Sequence, residues 1–302
     1  MNNSFTAPVR LSNKLLACLQ LARPANVVTA WADILAGYAA AGLVGSSDLM
    51  PLFWLLLSTS GLYAGGVTFN DVFDAELDAT ERPERPIPSD RISQPEAIAL
   101  GSVLLTVGIL AATKVSLLSG ELAIAIALLA LLYDGIGKHK PLLGPLNMGL
   151  CRGGNLLLGM SAVGDISGPW FLLCIPLLYI GAVTAISRGE VLGGERKTGI
   201  IALFLLAATF CGLLLLGYWP TVQFWQLLPF TLLLTLMTLP PFVQAMLTPD
   251  ATTIRAAVKA GVLSLIVVDA TLAAGFSGGL YGLCVLSLLP LSVGVARLFA
   301  VT

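Results

Sequence analysis

The sequence predicts an all-α polytopic membrane protein: a bundle of ten candidate transmembrane helices, with polar loops forming a cytoplasmic cap. Three observations carry the fold class. Of 302 residues, 57% are hydrophobic and only 11% charged, whereas soluble domains carry roughly a quarter charged residues. The apolar residues fall in blocks that approach the roughly 20 needed to cross a bilayer. The blocks do not alternate in polarity as barrel strands do, and helices are the other structure that satisfies its own backbone in lipid.

Taken in order, the spans are expected near residues 25–45, 50–70, 95–115, 118–137, 142–163, 169–188, 199–218, 222–247, 256–276 and 279–299. Only Ser277, Gly278 and Gly279 separate the last two. Residues 1–24 hold Arg10, Lys14 and Arg23 but no apolar core followed by a small-residue cleavage site. They read as a cytoplasmic leader ahead of a single transmembrane domain over 25–302.

The basic residues set the orientation. After the leader come Arg82, Arg85 and Arg91 behind span two, Lys138 and Lys140 behind span four, and Arg188, Arg196 and Lys197 behind span six. Arg255 and Lys259 follow span eight, and Arg297 lies near the C-terminus. The alternate loops are nearly free of basic residues, Lys114 excepted. The positive-inside rule therefore places the N-terminus and the even-numbered loops in the cytoplasm. The net charge of −1 and the dispersed 16 basic residues give no nucleic-acid-binding stripe. Five scattered cysteines (Cys18, Cys151, Cys174, Cys211, Cys284) lack metal-site spacing and read as small packing residues.

The longest polar stretch, about 70–96, follows span two, and Pro83, Pro86 and Pro88 should break helical structure within it. It opens with Asn70-Asp71-Val72-Phe73-Asp74-Ala75-Glu76-Leu77-Asp78. On a helix, Asp71, Asp74 and Asp78 fall within about one face, with Asn70 one turn before Asp74. Crowded carboxylates need an offsetting charge, and Mg²⁺ is often held by one or two carboxylates together with substrate phosphates. The run suits a Mg²⁺–diphosphate site; the alternative is an ordinary solvated helix end. Arg82, Arg85 and Arg91 suit phosphate oxygens or acidic lipid head groups, or simply set topology.

Span four ends in Tyr133-Asp134-Gly135-Ile136-Gly137-Lys138-His139-Lys140, where Lys138 is placed to reach a diphosphate and Tyr133 to line a pocket below it. His139, the only histidine, reads as an exposed loop residue. Asn147, Arg152 and Asn155 interrupt span five, and an arginine at membrane depth is a site candidate by default. Asn26 and Asp33 share a face of span one, and Asp269 is a further intramembrane acid. After span six, Arg188 precedes Glu190 and Glu195, which read either as a second set of metal ligands or as loop charges balanced by Arg196 and Lys197. These two polar loops, four spans apart, hint at a pseudo-repeat.

The run Asn70–Asp78 resembles the first signature, NDxxDxxxD, of the UbiA-type intramembrane prenyltransferases. Tyr133, Lys138, the following proline-leucine stretch and Asn147 resemble that family's segment after helix four, and Arg23-Pro24-Ala25-Asn26 is similar to its entry into helix one. The likeness runs from about residue 20 to 200. Where that family carries a DxxxD-type motif after helix six, this chain has Glu190 and Glu195, five apart. The Ser187-Arg188-Gly189-Glu190 segment and the terminal LFAVT are similar to a subgroup called EboC, which implies an isoprenoid-linked role in a bacterial export or biosynthesis cluster and a place in the bacterial cytoplasmic membrane.

The resemblance implies nine transmembrane helices, against the ten spans counted, and so a bundle of nine to ten transmembrane helices around a central cavity. It implies Mg²⁺-dependent transfer of a prenyl group from an allylic prenyl diphosphate to an unknown acceptor within the membrane. That acceptor is an aromatic ring, a quinone precursor or a polar lipid, with membrane lipids as further partners. Asn70, Asp71, Asp74, Asp78, Glu190 and Glu195 would be the metal ligands. Lys138, Arg188 and Tyr133 would act in catalysis, and Asn26, Arg82, Arg85, Asn147 and Arg152 would bind substrate. The rival is a protein of the same fold that binds or transports an isoprenoid lipid without transfer. A third reading, an ion-coupled carrier built on Asp33, Arg152 and Asp269, leaves the acidic run unexplained.

Overall fold

In lipid every backbone polar group must be satisfied within the chain. The computed structural model, which describes residues 7–140, 142–165, 168–190 and 193–299, meets that demand with helices. The expectations for the His139 side chain and for residues 300–302 of the LFAVT terminus fall outside the described residues.

Helix α1 (Ala7–Ala22) precedes the first span and fits its buried Ala17 and Leu21 against Val72, Ile87 and Ile92. Arg23 then turns the chain in the left-handed region, at φ 47°. Helix α2 (Pro24–Ala40) follows, opening on a proline at a position where a missing N–H costs nothing. Helix α3 (Met50–Phe73) carries the chain back, and beyond Asp74 a short helix α4 (Ala75–Glu81) leads into the proline-broken loop 82–93. A Ser93–Glu96 capping box starts α5 (Gln94–Thr113), and Ser116 caps α6 (Leu117–Gly135).

The remaining spans are α7 (Leu143–Met160), α8 (Cys174–Ser187), α9 (Arg196–Leu215) and α10 (Phe224–Leu247). Helices α11 (Ala251–Leu263) and α12 (Leu265–Ser277) form one span broken at Ser264, and α13 (Gly279–Leu286) and α14 (Leu288–Phe299) form another broken at Ser287.

Each of the ten expected spans is helical. Among the described residues, eight helical segments are long and apolar enough to cross a membrane. The other two expected spans are α2, only 17 residues long, and α7, which carries Asn147, Arg152 and Asn155. Both are interior. Helix α2 packs against α3, α7, α12 and α14, and Ala30, Ala32, Ile34 and Ala36 along it are fully buried. A helix surrounded by protein is freed from matching lipid hydropathy, so its polar groups can bond to neighbours instead.

The α2–α7 contact is set by Gly37 and Gly159. A Cβ on either would collide with the other helix's backbone, at Leu156 O for Gly37 and Ile34 O for Gly159. That close approach lets Arg152 donate through Nη2 to Thr29 O at 3.0 Å and lie with Nε 3.1 Å from Asp33 Oδ2. Asn155 Nδ2 donates to the same Asp33 oxygen at 2.8 Å and to Ala30 O at 2.9 Å.

The two ends of the bundle differ in chemistry. Phe53, Trp54, Trp170, Tyr218 and Trp225 gather at the end where α3 begins, as aromatic side chains do at a membrane interface. Among the described residues, every recorded ion pair except Arg152–Asp33 lies at the other end.

Replacing Gly159 with leucine should force α2 and α7 apart and cost about 1–3 kcal/mol or more, the range for overpacking. Thermal unfolding in detergent should show a lowered midpoint for Gly159→Leu; an unchanged midpoint would contradict the packing.

Candidate functional site

Helices α3 and α6 run parallel and meet in rungs four residues apart, about one helical turn. The first rung is Gly66 against Ala130, close enough that an added Cβ on Gly66 would lie 3.3 Å from the Ala130 Cβ. One turn on, Asn70 Nδ2 donates to Asp134 Oδ1 at 2.8 Å. One further turn, Lys138 Nζ pairs with Asp74. The polar motif at the end of α3 is thus aligned with the polar end of α6 by simple register.

The three aspartates do not face a common point as one regular helix face would have it. The helix is interrupted at Asp74, although Asp74 N still bonds Asn70 O at 3.0 Å and Asp78 N bonds Asp74 O at 2.8 Å. Asp74 turns to α6, while Asp71 and Asp78 are drawn together by Arg85. Arg85 Nη1 reaches Asp78 Oδ2 at 2.6 Å and Asp71 Oδ1 at 3.3 Å. Arg23, from the α1–α2 corner, also pairs with Asp71. Asp71 is 6% exposed and Asp78 4%, so these cations are what makes burial of the carboxylates tolerable.

Arg85 gets there because the loop folds back. Arg91 pins it, donating to Gln20 Oε1 at 2.6 Å and to Glu84 O at 2.7 Å, which ties the loop to α1. Arg82 stays exposed at the end of α4, within electrostatic reach of Glu190.

Below this rim, Tyr133 is half-buried among Asp134, Asp74 and Cys151. Asn147 is 1% exposed and its Nδ2 has no hydrogen-bond partner. Gly137 makes room for both: an added Cβ there would lie 3.5 Å from Asn147 Nδ2 and 3.6 Å from Tyr133 Cδ2. Arg188 is exposed and donates to Lys140 O at 2.9 Å, holding the end of α8 over the end of α6. Asn26 sits half-buried in the first turn of α2. Arg152 lies deeper, committed to Thr29 and Asp33 between α2 and α7.

Glu195 is exposed at the start of α9, and Glu190 is half-buried; residues 191–192 between them lie outside the described residues. Burial raises the Glu190 carboxyl above the ordinary glutamate value, against the opposing pull of Arg82 and Arg255. Among the described residues, no three His, Cys, Asp or Glu side chains form a ready-made metal cage. The donor chemistry still fits Mg²⁺. The oxygens of Asn70, Asp71, Asp74 and Asp78 are hard ligands, and Mg²⁺ needs only one or two carboxylates when phosphates supply the rest.

Two side chains that the structure brings into this cluster carry little signal in the sequence: Arg23 stands out only as the entry to span one, and Asp134 only as a neighbour of Tyr133. The 64-residue separation shared by Asn70–Asp134 and Asp74–Lys138 could have flagged Asp134, but only once two helices were assumed parallel and in register.

Ala22 and Pro24, on either side of Arg23, line an apolar cavity of about 530 Å³ together with Val28, Trp31, Leu57 and Leu104. Trp31 Nε1 is satisfied on its wall by Ser60 Oγ at 2.8 Å.

Comparison with known proteins bears on this arrangement. The model of the UbiA prenyltransferase family matches residues 30–260. The chain is 33% identical over 190 residues to a protein of Ignicoccus hospitalis named digeranylgeranylglyceryl phosphate synthase, covering 62% of this chain and 61% of that protein's length. A protein of the same name from Methanoculleus marisnigri is 31% identical over 231 residues, covering 70% of this chain and 79% of that one. Among solved structures, a UbiA homologue from Archaeoglobus fulgidus superposes with a TM-score of 0.69 at 16% identity, over 90% of this chain and 99% of the other. The same homologue solved with DMAPP and Mg²⁺ gives a TM-score of 0.55 over 89% and 99%. At that identity these structures establish the fold alone.

The raised carboxyl of Glu190 has a signed consequence. The folded state favours its neutral form, so this stabilising contribution is complete below the ordinary value of 4.5 and is lost as pH rises through the raised one. Glu190→Gln cannot ionise and should remove that part of the pH slope, gaining stability relative to the parent towards neutral pH. Parallel slopes for the two proteins in unfolding measured across pH would contradict it.

Proposed function

The chain belongs to the UbiA prenyltransferase family, and from that premise we propose that it is an integral membrane prenyltransferase with Mg²⁺ as cofactor. It moves a prenyl group from an allylic diphosphate to a hydroxyl of a glycerophosphate lipid. The C–O bond to the diphosphate breaks, a C–O bond to the acceptor oxygen forms, and pyrophosphate and a proton are released. The names of the relatives support the finer part of this reading: a geranylgeranyl donor and a glyceryl phosphate acceptor.

One observation carries it. Paired carboxylates and an apolar cavity share helix α3 and the Arg23 corner. Leu57 and Ala64 of α3 line the cavity about four and about two helical turns before Asp71. Ala22 and Pro24, on either side of Asp71's partner Arg23, line it too. An amphiphilic diphosphate needs charge for its head and hydrocarbon space for its tail on neighbouring surfaces.

Bound among Asn70, Asp71, Asp74 and Asp78, Mg²⁺ would supply positive charge to the diphosphate leaving group. The protein's own residues do the rest. Lys138, Arg85 and Arg23 exchange a carboxylate partner for phosphate oxygens, and Arg82 and Arg188 extend the positive field at the rim. Such fixed cations act on the charge that develops as the C–O bond breaks. Tyr133 and Asn147 line the floor where the allylic carbon meets the acceptor. The apolar cavity takes the tail, and the packed helices keep water from the reactive carbon.

The replacement of a DxxxD-type motif by Glu190 and Glu195 favours a second reading, diphosphate-lipid binding without turnover. A direct assay separates the two. Purified protein is given Mg²⁺, geranylgeranyl diphosphate and a glyceryl phosphate carrying one geranylgeranyl group, and pyrophosphate is measured. Mg²⁺-dependent release that falls at least ~100-fold in Asp71→Asn and in Asp74→Asn is expected, the scale of losing one electrostatic group at a reacting centre. Saturable binding without release supports the binding protein, and full activity in either variant overturns the site assignment.

A further inference from the structure

Asp134 is a buried carboxylate at this site to which the reading above gives no task. It occupies the last turn of α6, is 4% exposed, and accepts the Asn70 Nδ2 hydrogen bond at 2.8 Å. The pair is bracketed on the same two helices. One turn before it, Gly66 meets Ala130; one turn after it, Asp74 pairs with Lys138. Both polar rungs join residues 64 apart, and Gly66 and Ala130 have the same separation, so the register is fixed on either side of Asn70.

This geometry decides how Asn70 is used. A side-chain amide has one oxygen arm and one nitrogen arm, and only the oxygen offers lone pairs to a cation. An ionised carboxylate accepts hydrogen bonds and donates none. Asp134 Oδ1 takes the nitrogen arm, and the flipped amide would set oxygen against oxygen at that contact. We propose that Asp134 is a positioning residue that locks the Asn70 amide with its oxygen turned to the Mg²⁺–diphosphate. The inference rests on the Mg²⁺-dependent reading above. It also explains why an acid is buried beside a motif already rich in acids: a neutral partner able to donate as well as accept would allow both amide orientations.

The test reads metal binding rather than turnover. Full-length detergent-purified protein is titrated with Mn²⁺ in the presence of inorganic pyrophosphate, and free Mn²⁺ is followed by electron paramagnetic resonance. Asp134→Asn should weaken pyrophosphate-dependent Mn²⁺ binding about tenfold or more, the usual cost of losing a group that orients a metal ligand. Asn70→Asp should weaken it too, because two carboxylates then face each other. The exchanged pair, Asn70→Asp with Asp134→Asn, restores a donor–acceptor contact in the reverse sense and should recover most of that loss.

The exchange would restore a merely structural α3–α6 contact as well, so the thermal unfolding midpoint of each variant is read beside it. Weakened Mn²⁺ binding with an unchanged midpoint is expected, and binding and midpoint falling in step overturn the positioning role. The exchanged pair judged against Asn70→Asp also keeps the test decisive if Asp134→Asn alone fails to fold. Unaltered binding in Asp134→Asn, or an exchanged pair no better than Asn70→Asp, overturns the role of Asp134 and leaves the prenyltransferase reading intact. A parent protein that shows no pyrophosphate-dependent Mn²⁺ binding overturns that reading, and this inference with it.

Discussion

Everything at the polar end of this protein depends on one electrostatic constraint: carboxylates sunk at the membrane boundary must be neutralised. Asp71 and Asp78 are almost fully buried, and an unpaired buried charge costs several kcal/mol. The chain meets the constraint with cations drawn from separate segments. Arg23 comes from the α1–α2 corner, Arg85 from the loop after α4, and Lys138 from beyond α6. Each pairing therefore also holds an element in place. Arg91 completes the clamp by fastening the loop to α1 through Gln20. The same pairings leave neither the carboxylates nor the cations presenting bare charge. On the proposed function, a Mg²⁺–diphosphate would bring charges of both signs at once, whereas either ion alone would strand one half of the set.

A second buried charge set serves the bundle. Arg152 of α7 and Asp33 of α2 meet within the bundle, braced by Thr29 and Asn155, with Asp269 of α12 beside them. Charge at membrane depth is tolerated when it faces protein and is paired. This set explains why α2 and α7 are the two spans that look least like membrane helices. They are short or polar because they line the interior, and the glycines at 37 and 159 let their backbones approach closely enough for the contacts to form.

Much of this was legible in the sequence. The run of spans, the basic loops and the motif Asn70–Asp78 follow from composition, hydropathy and spacing, because lipid leaves few alternatives. The aromatic residues at the far end follow the same logic. Harder to read was which cation meets which acid. Arg85, expected to bind substrate, bridges Asp71 and Asp78, while Lys138 reaches Asp74 from 64 residues away. Such pairings depend on the register of α3 against α6 and on a loop that folds back, neither of which a pattern of residue types encodes. Arg152 shows the reverse difficulty. An arginine at membrane depth reads as a ligand-binding group, yet its guanidinium is committed to Thr29 and Asp33. The second acidic segment remains the chain's own variation. Glu190 is half-buried near Arg82 and Glu195 is exposed, in a place where the family resemblance leads one to expect aspartates.

Exchange of the protein's internal ion pairs for a metal and a diphosphate together is open to calorimetric titration of the purified protein. Inorganic pyrophosphate is titrated with and without Mg²⁺, and Mg²⁺ with and without pyrophosphate. The account predicts weak binding of each alone and a reciprocal gain of about tenfold or more when both are present, equal in the two directions as linkage requires. Tight Mg²⁺ binding that pyrophosphate does not change would contradict it.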